Sequence, residues 1–275
     1  MRYFPLTSDR FQHDFGVRAL PAEQSVIEVT ELYEEQIQQR RRLLRDDRDA
    51  YYRGDDASLP DQHEAFEWIA GQAPLPEFPQ LDLLALEDEP PLLLAGQHVQ
   101  EDLVLMRDDF AAGYPIVAGV VCFPSGWCIA DKMGKNVWDV HQPVPEFAEL
   151  AATKTVKLLR GLKTLRPVWR MNWGVRSSGE LDQSPQQLAR HASPAVTINA
   201  GNAGQQCWFR VERQTLTRLP GGAILFTIHT HQASVETLTT EQRAMLGGTI
   251  ASCPEATLRY KGIWPFHAAL LEYLG

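Results

Sequence analysis

Residues 207–231 read CWFRVERQTLTRLPGGAILFTIHTH, and this stretch decides the fold. Cys207 to Leu216 is rich in aromatic and β-branched residues, Pro220-Gly221-Gly222 supplies a turn, and Ala223 to His231 reads as a second strand. The second strand alternates with period two. Ile224, Phe226 and Ile228 share one face, while Leu225, Thr227, His229 and His231 share the other. A hairpin of this kind makes an antiparallel sheet the expected framework and sets two imidazoles side by side on one strand face.

Upstream, Leu103 to Met106 and Pro115 to Phe123 read as two further β-rich runs, separated by Asp108, Asp109 and Gly113 and compatible with a hairpin or neighbouring strands. Pro143 and Pro145 close a loop ahead of a helix expected from Glu146 to Leu159. Downstream, Thr239 to Leu246 and His267 to Leu274 read as helices. Residues 1–28, with Pro5, Gly16 and Pro21, read as an irregular N-terminal lead-in. From about Thr30 the pattern turns helical, with Tyr33, Ile37 and Leu44 on one stripe. Arg40, Arg41, Arg42 and Arg45 make that helix basic, most simply as a solvated face, with a docking surface for a partner protein as the sharper reading. His63 to Ala70 reads as another helix, and Pro74, Pro76 and Pro79 break regular structure after it. Leu81 to Leu86 and Pro90 to Leu94 read as short buried segments. The expected class is therefore α+β: one domain over residues 29–275, an antiparallel sheet with surrounding helices and an N-terminal helical layer.

Composition narrows the function classes. With 44% apolar residues in 275, the chain can bury roughly three quarters of its extended surface. The 26 Lys and Arg against 35 Asp and Glu give a net charge of −9, which argues against a nucleic-acid partner. No run approaches the roughly 20 apolar residues that span a bilayer, so a soluble cytoplasmic protein without a membrane partner is expected. Cys122, Cys128, Cys207 and Cys253 are too few and too dispersed for a disulfide scaffold or a four-thiolate iron–sulfur module. Electrons for any redox chemistry are then expected from another polypeptide. The sequence has no phosphate loop, no GxGxxG after a strand, no HExxH and no GxSxG.

Three constellations carry chemistry. His229-Thr230-His231 offers two imidazoles to a metal, with a third ligand to be drawn from elsewhere, His98, His141 or Glu212 among them; polar packing across a sheet is the alternative. Trp138-Asp139-Val140-His141-Gln142-Pro143-Val144-Pro145 sets an imidazole on a restrained loop beside a hydrophobic helix, as an axial haem ligand requires. A hydrogen-bonded structural histidine fits the same place. Arg166, Trp169, Arg170, Asn172, Trp173 and Arg176 combine guanidinium forks, which clamp carboxylates, with indoles, which pack on an extended plane. Haem propionates and a macrocycle edge suit them, as do structural ion pairs or a protein interface. Arg210-Val211-Glu212-Arg213-Gln214 adds a second dense polar set.

The ordered motifs VQEDLVLM (99–106), CFPSGWCIADKMGKNVWDVHQPVPEF (122–147), RMNWGV (170–175) and RVERQTLTRLPGGAILFTIHTH (210–231) resemble the haem-dependent oxidative N-demethylase family, specifically its haem-bearing alpha subunit and relatives, over roughly residues 25–274. The resemblance implies a modified PAS-like fold holding haem b. It implies oxidative removal of a methyl group from a small methylated amine, with O2 as oxidant and an external reductase or electron-transfer subunit supplying electrons, and it leaves homo-oligomerisation open. The N-methyl group would be oxidised to a carbinolamine, which collapses to the demethylated amine and formaldehyde. His141 in VHQPVP is the implied proximal iron ligand. Arg170, Asn172, Arg176, Arg210 and Arg213 are the implied cofactor contacts, with the arginines pairing propionates or orienting the reductase-facing edge. Glu212, Gln214, His229 and His231 are the implied substrate and proton residues. A noncatalytic haem-binding PAS-like sensor or carrier is the alternative function.

His231 departs from the family pattern, which carries Tyr more often at that position. The exchange trades aromatic area for a titratable ring, with altered substrate choice, loss of catalysis or a neutral solvent-facing change as its expected meanings.

Overall fold

The computed structural model describes residues 1–12, 16–72, 89–145, 152–190 and 197–275. The quoted hairpin is its longest paired unit: β6 (Trp208–Arg218) runs antiparallel to β7 (Ile224–Ser234), with Arg213 opposite His229 and Val211 opposite His231. Gly222 closes the turn at φ +105°, a left-handed conformation that a side chain would strain. The two upstream β runs are β3 (Asp102–Met106) and β4 (Ile116–Val120), which pair with each other, and β3 also pairs with β7.

The remaining strands are β5 (Val168–Arg176), β1 (Arg18–Ala19) and β2 (Tyr52–Gly54). β5 pairs with β6 along its full length, while β1 and β2 form the edges. The seven strands lie in the order β1-β5-β6-β7-β3-β4-β2, every pairing antiparallel. The last strand thus lies between its hairpin partner and β3, the PAS-like arrangement of an α+β fold.

Pleating gives this sheet two chemically different faces. On the His229 face, Leu103 and Leu225 pack with Ile27, Phe66, Ile69 and Leu92 beneath helices Leu59–Ala70 and Pro91–Gly96. Farther along the same face, Val175, Phe209 and Val211 pack under helices Thr240–Ser252 and His267–Leu274. Thr239 and Gln242 form a reciprocal capping box that starts the first of these two helices. On the Glu212 face, Val104, Leu216 and Phe226 meet Ile129, Val137 and Leu159, the last from helix Ala152–Gly161. Each such side chain taken from water contributes about 1.5–3 kcal/mol.

The expected helices beginning near Thr30, His63, Thr239 and His267 are present as Tyr33–Asp46, Leu59–Ala70, Thr240–Ser252 and His267–Leu274. Leu81 to Leu86 and the first residues of the helix expected from Glu146 lie outside the described residues. Within the first 28 residues, Arg18–Ala19 form β1 and Val26 and Ile27 are fully buried.

The basic run of the first long helix is corrected by the structure. Arg40 is fully buried and donates to Asp102 at 2.8 Å and to the Gly96 carbonyl, while Arg41 donates to the Gln97 carbonyl. Arg40 fastens the helical layer to β3 and Arg41 fastens it to the chain ahead of β3, while Arg42 and Arg45 of the run are exposed. No helix among the described residues is long and apolar enough to cross a membrane.

Candidate functional site

The register of β5 and β6 builds a polar patch on the Glu212 face. Arg170 stands opposite Gln214, Asn172 opposite Glu212, and Arg176 opposite Trp208. Asn172 and Gln214 both donate to Glu212 Oε2, at 3.2 and 2.8 Å. Burial works against the Glu212 charge, but Ser125, Arg210, Asn172 and Arg176 outweigh it and hold the carboxyl below its ordinary range. The result is a buried carboxylate held in its charged form.

Two basic groups border it. Lys261 donates to Asn172 Oδ1 and to the Trp173 carbonyl. Burial pushes its ammonium down to about 8, with Glu212 pulling the other way. Arg176 donates to the Ser125 carbonyl at 2.9 Å. Arg210 is differently employed: its guanidinium donates to the carbonyls of Phe123, Pro124, Glu180 and Leu181, to Ser125 Oγ and to Gln232. Those bonds tie two loops to the sheet and direct Arg210 to structure.

His141 ends the short helix Val137–His141, whose Asn136 caps the N-terminus by accepting from Trp138 and Asp139 N–H. Its Nδ1 donates to the Val137 carbonyl at 2.7 Å, which fixes the proton on Nδ1 and the lone pair on Nε2. Burial lowers its pKa, and nearby Arg170 and Lys132 lower it further. A neutral imidazole with a carbonyl-fixed tautomer is the form that ligates a metal. Trp127, Met133, Val140, Val156, Leu216 and Phe226 are partly buried and pack against the same apolar cluster as Val137 of that helix. One imidazole, arginines and apolar walls are the donor set that haem takes, so these residues fit the group.

The opposite face holds a second cluster. His229 Nδ1 lies 3.2 Å from Glu101 Oε1 and 3.4 Å from Glu28 Oε2, and His231 Nε2 lies 3.5 Å from Glu28 Oε2. Arg213 Nε is 3.6 Å from the same Glu28 oxygen, and the rest of its guanidinium donates to the Ser25 and Val26 carbonyls. Tyr3 donates to Glu28 Oε1 at 2.6 Å. Burial disfavours the Glu28 charge, yet His229, His231, Tyr3 and Arg213 hold it well below the carboxylate range. Burial likewise opposes charging His229, and Glu101 and Glu28 overcome it, raising the pKa to about 9. Glu28, His229 and His231 are a set whose ligand atoms all lie within 4.8 Å of one another, as a metal ion needs.

Residues 77–271 match the model of the family described as haem-dependent oxidative N-demethylase, alpha subunit-like. The chain belongs to this family. In this demethylase alpha-subunit-like chain, β3 to β7 and the His141 helix all fall within the matched span, whereas Tyr3 and Glu28 precede it.

The sheet therefore sorts the expected site residues. Arg170, Asn172, Arg176, Glu212 and Gln214 come together on one face, with His141 close to Arg170; His229, His231 and Arg213 stand together on the other. His231 is turned toward Glu28 and Tyr3 and is only 11% exposed, so the position is not solvent-facing. Sequence reasoning missed Glu28, Glu101 and Tyr3 on the His229 face, and Ser125 and Lys261 on the Glu212 face. The alternation of β5 could have found its own polar face; nothing local flags the others.

Proposed function

We propose that this chain is a haem-dependent oxidative N-demethylase of a small methylated amine, with the haem b site on the Glu212 face of the sheet. The observation that carries the reading is His141, a neutral, carbonyl-oriented imidazole beside a patch that holds arginines and a buried carboxylate. Membership of the demethylase alpha-subunit-like family supports it.

In this reading His141 Nε2 would hold the iron, and Arg170 and Arg176 would hold the propionates. When bound, haem supplies O2 activation, fed by electrons from a cytoplasmic reductase or electron-transfer subunit. The protein's own residues handle the amine. The Glu212 carboxylate attracts the ammonium form of the substrate, and Asn172 and Gln214 hold Glu212 in one orientation through their bonds to Oε2. Lys261, whose ammonium burial brings down to about 8, stands beside Asn172 as the group that holds or releases a proton at the edge of the patch. The balance is one N-methyl amine, one O2, two electrons and two protons converted to the demethylated amine, formaldehyde and water.

The test is a haem titration of the wild type and His141→Ala, followed by oxidised, reduced and CO-bound optical spectra. The expected result is one haem per wild-type chain, loss of the proximal signature in the variant, and amine-dependent formaldehyde release with a reductase. A folded wild-type protein that takes up no haem overturns the reading. Haem uptake without amine turnover favours the sensor or carrier alternative.

A further inference from the structure

The His229 face contains more chemistry than the demethylase reading uses. Five buried atoms meet there without an aligned hydrogen bond: Glu28 Oε2, Glu101 Oε2, Arg213 Nε, His229 Nδ1 and His231 Nε2. His229 and Glu101 are essentially inaccessible, at 1% and 0%. Unsatisfied buried polar atoms are costly, about 1–3 kcal/mol each, and a concentration of them in one spot calls for a ligand that satisfies several together.

We propose that Glu28, His229 and His231 form a site for one zinc-type divalent cation, on the sheet face opposite the haem site. The spacing has the dimensions of such a site. Zinc bonds of about 2.0–2.1 Å in a tetrahedron separate neighbouring ligand atoms by roughly 3.4 Å. The two distances from Glu28 Oε2 are 3.4 Å to His229 Nδ1 and 3.5 Å to His231 Nε2. Two imidazole nitrogens and one carboxylate oxygen select a borderline transition metal over calcium or magnesium, which take mainly oxygen ligands.

The surroundings hold the ligands in place. Tyr3 and Arg2 engage Glu28 Oε1, turning Oε2 toward the histidines. Glu101 Oε1 accepts the Glu28 backbone N–H at 2.9 Å, anchoring that ligand to the start of β3. Arg213 keeps the chain before Glu28 in position through the Ser25 and Val26 carbonyls. An open groove of about 430 Å³ is lined in part by Tyr3, Ser25 and Glu28, the cluster's carboxylate. The third ligand precedes the span that matches the family, so the site needs a segment the family match does not include.

The experiment is calorimetric titration of chelator-treated full-length protein with ZnCl2, with and without haem, accompanied by the absorption spectrum of the Co2+-substituted protein. One ion per chain, a Kd in the micromolar range or tighter, and tetrahedral Co2+ bands are expected in both haem states. Glu28→Gln and His231→Ala are expected to weaken binding by about 100-fold or more. His231→Tyr keeps an aromatic ring without a nitrogen ligand, so it gives the same loss even where the alanine variant fails to fold. Uptake well below one ion per chain overturns the proposal, as does Zn2+ affinity unchanged in Glu28→Gln and His231→Tyr. Failure of haem uptake alone bears on the demethylase reading and leaves this one standing.

Discussion

Glu212 and Arg213 are neighbours in the chain, yet their side chains serve opposite faces of the central sheet: Glu212 binds Asn172 and Gln214, and Arg213 lies against Glu28. One peptide bond thus separates the candidate amine site from the histidine cluster, and substitutions on either side of it have different readouts. Glu212→Gln keeps the shape and both donors while removing the charge that attracts an ammonium group. Turnover of the amine is expected to fall by about 100-fold or more with haem still bound, because orientation of the substrate in the site depends on that carboxylate. Formaldehyde release per haem measures it. Turnover within threefold of wild type removes Glu212 from the amine site.

The N-terminal helix is fastened by a pair with no solvent access. Arg40 and Asp102 are 0% and 1% exposed, and Asp102 also accepts from the backbone N–H groups of Cys122 and Phe123. Removing one partner leaves a buried charge, which costs about 3–5 kcal/mol, whereas removing both is cheaper. Arg40→Met and Asp102→Asn are each expected to lower unfolding free energy in that range, and the double variant to lose less than their sum. Urea denaturation of the four proteins measures the coupling. Strict additivity makes the pair incidental to stability.

These two cases also show what the sequence could and could not convey. The β6–β7 hairpin was legible because period-two alternation and a Pro-Gly-Gly turn are local signals. β5 carries an equally regular alternation, Trp169, Met171, Trp173 and Val175 against Arg170, Asn172, Gly174 and Arg176. It passed for a polar-aromatic cluster because both of its faces bear large side chains. Arg40 looked solvated because its partner Asp102 is 62 residues away, and an arginine's burial is decided by what it meets. Glu28 was invisible as a site residue for the same reason. Sequence placed His229 and His231 together; only the packing of the N-terminal segment over β7 brings their carboxylate.

The four cysteines are unpaired and differ in accessibility. Burial pushes the Cys122 and Cys207 thiols up to about 12 and Cys253 to about 11, so at pH 8 only about one part in a thousand or less of each is thiolate. Cys128 is half-buried, and burial raises its pKa as well. With a maleimide at pH 8, native protein is expected to label at Cys128 alone, and slowly. Unfolding in urea releases the other three. Rapid labelling of Cys122 in native protein contradicts its placement beneath the sheet.

Lys261 gives the protein a pH dependence of defined sign. Its folded pKa of about 8 lies below the roughly 10.4 of an unfolded lysine, because burial disfavours the ammonium more than Glu212 favours it. Between these values the unfolded chain holds a proton that the folded chain has released, so stability rises with pH across this window. Below pH 8 both states are protonated and the cost of burying the charge is fully present. Lys261→Met removes that cost at every pH. The variant's stability relative to wild type is therefore expected to be most favourable near pH 7 and to decline toward pH 10, by at most about 1.4 kcal/mol per pH unit and by less where solvent screens the charge. Urea midpoints of both proteins at pH 7, 8, 9 and 10 measure the difference, and other titrating groups cancel between them. A difference that stays flat across this range places the Lys261 ammonium in water and removes it as the group that holds or releases a proton beside Asn172.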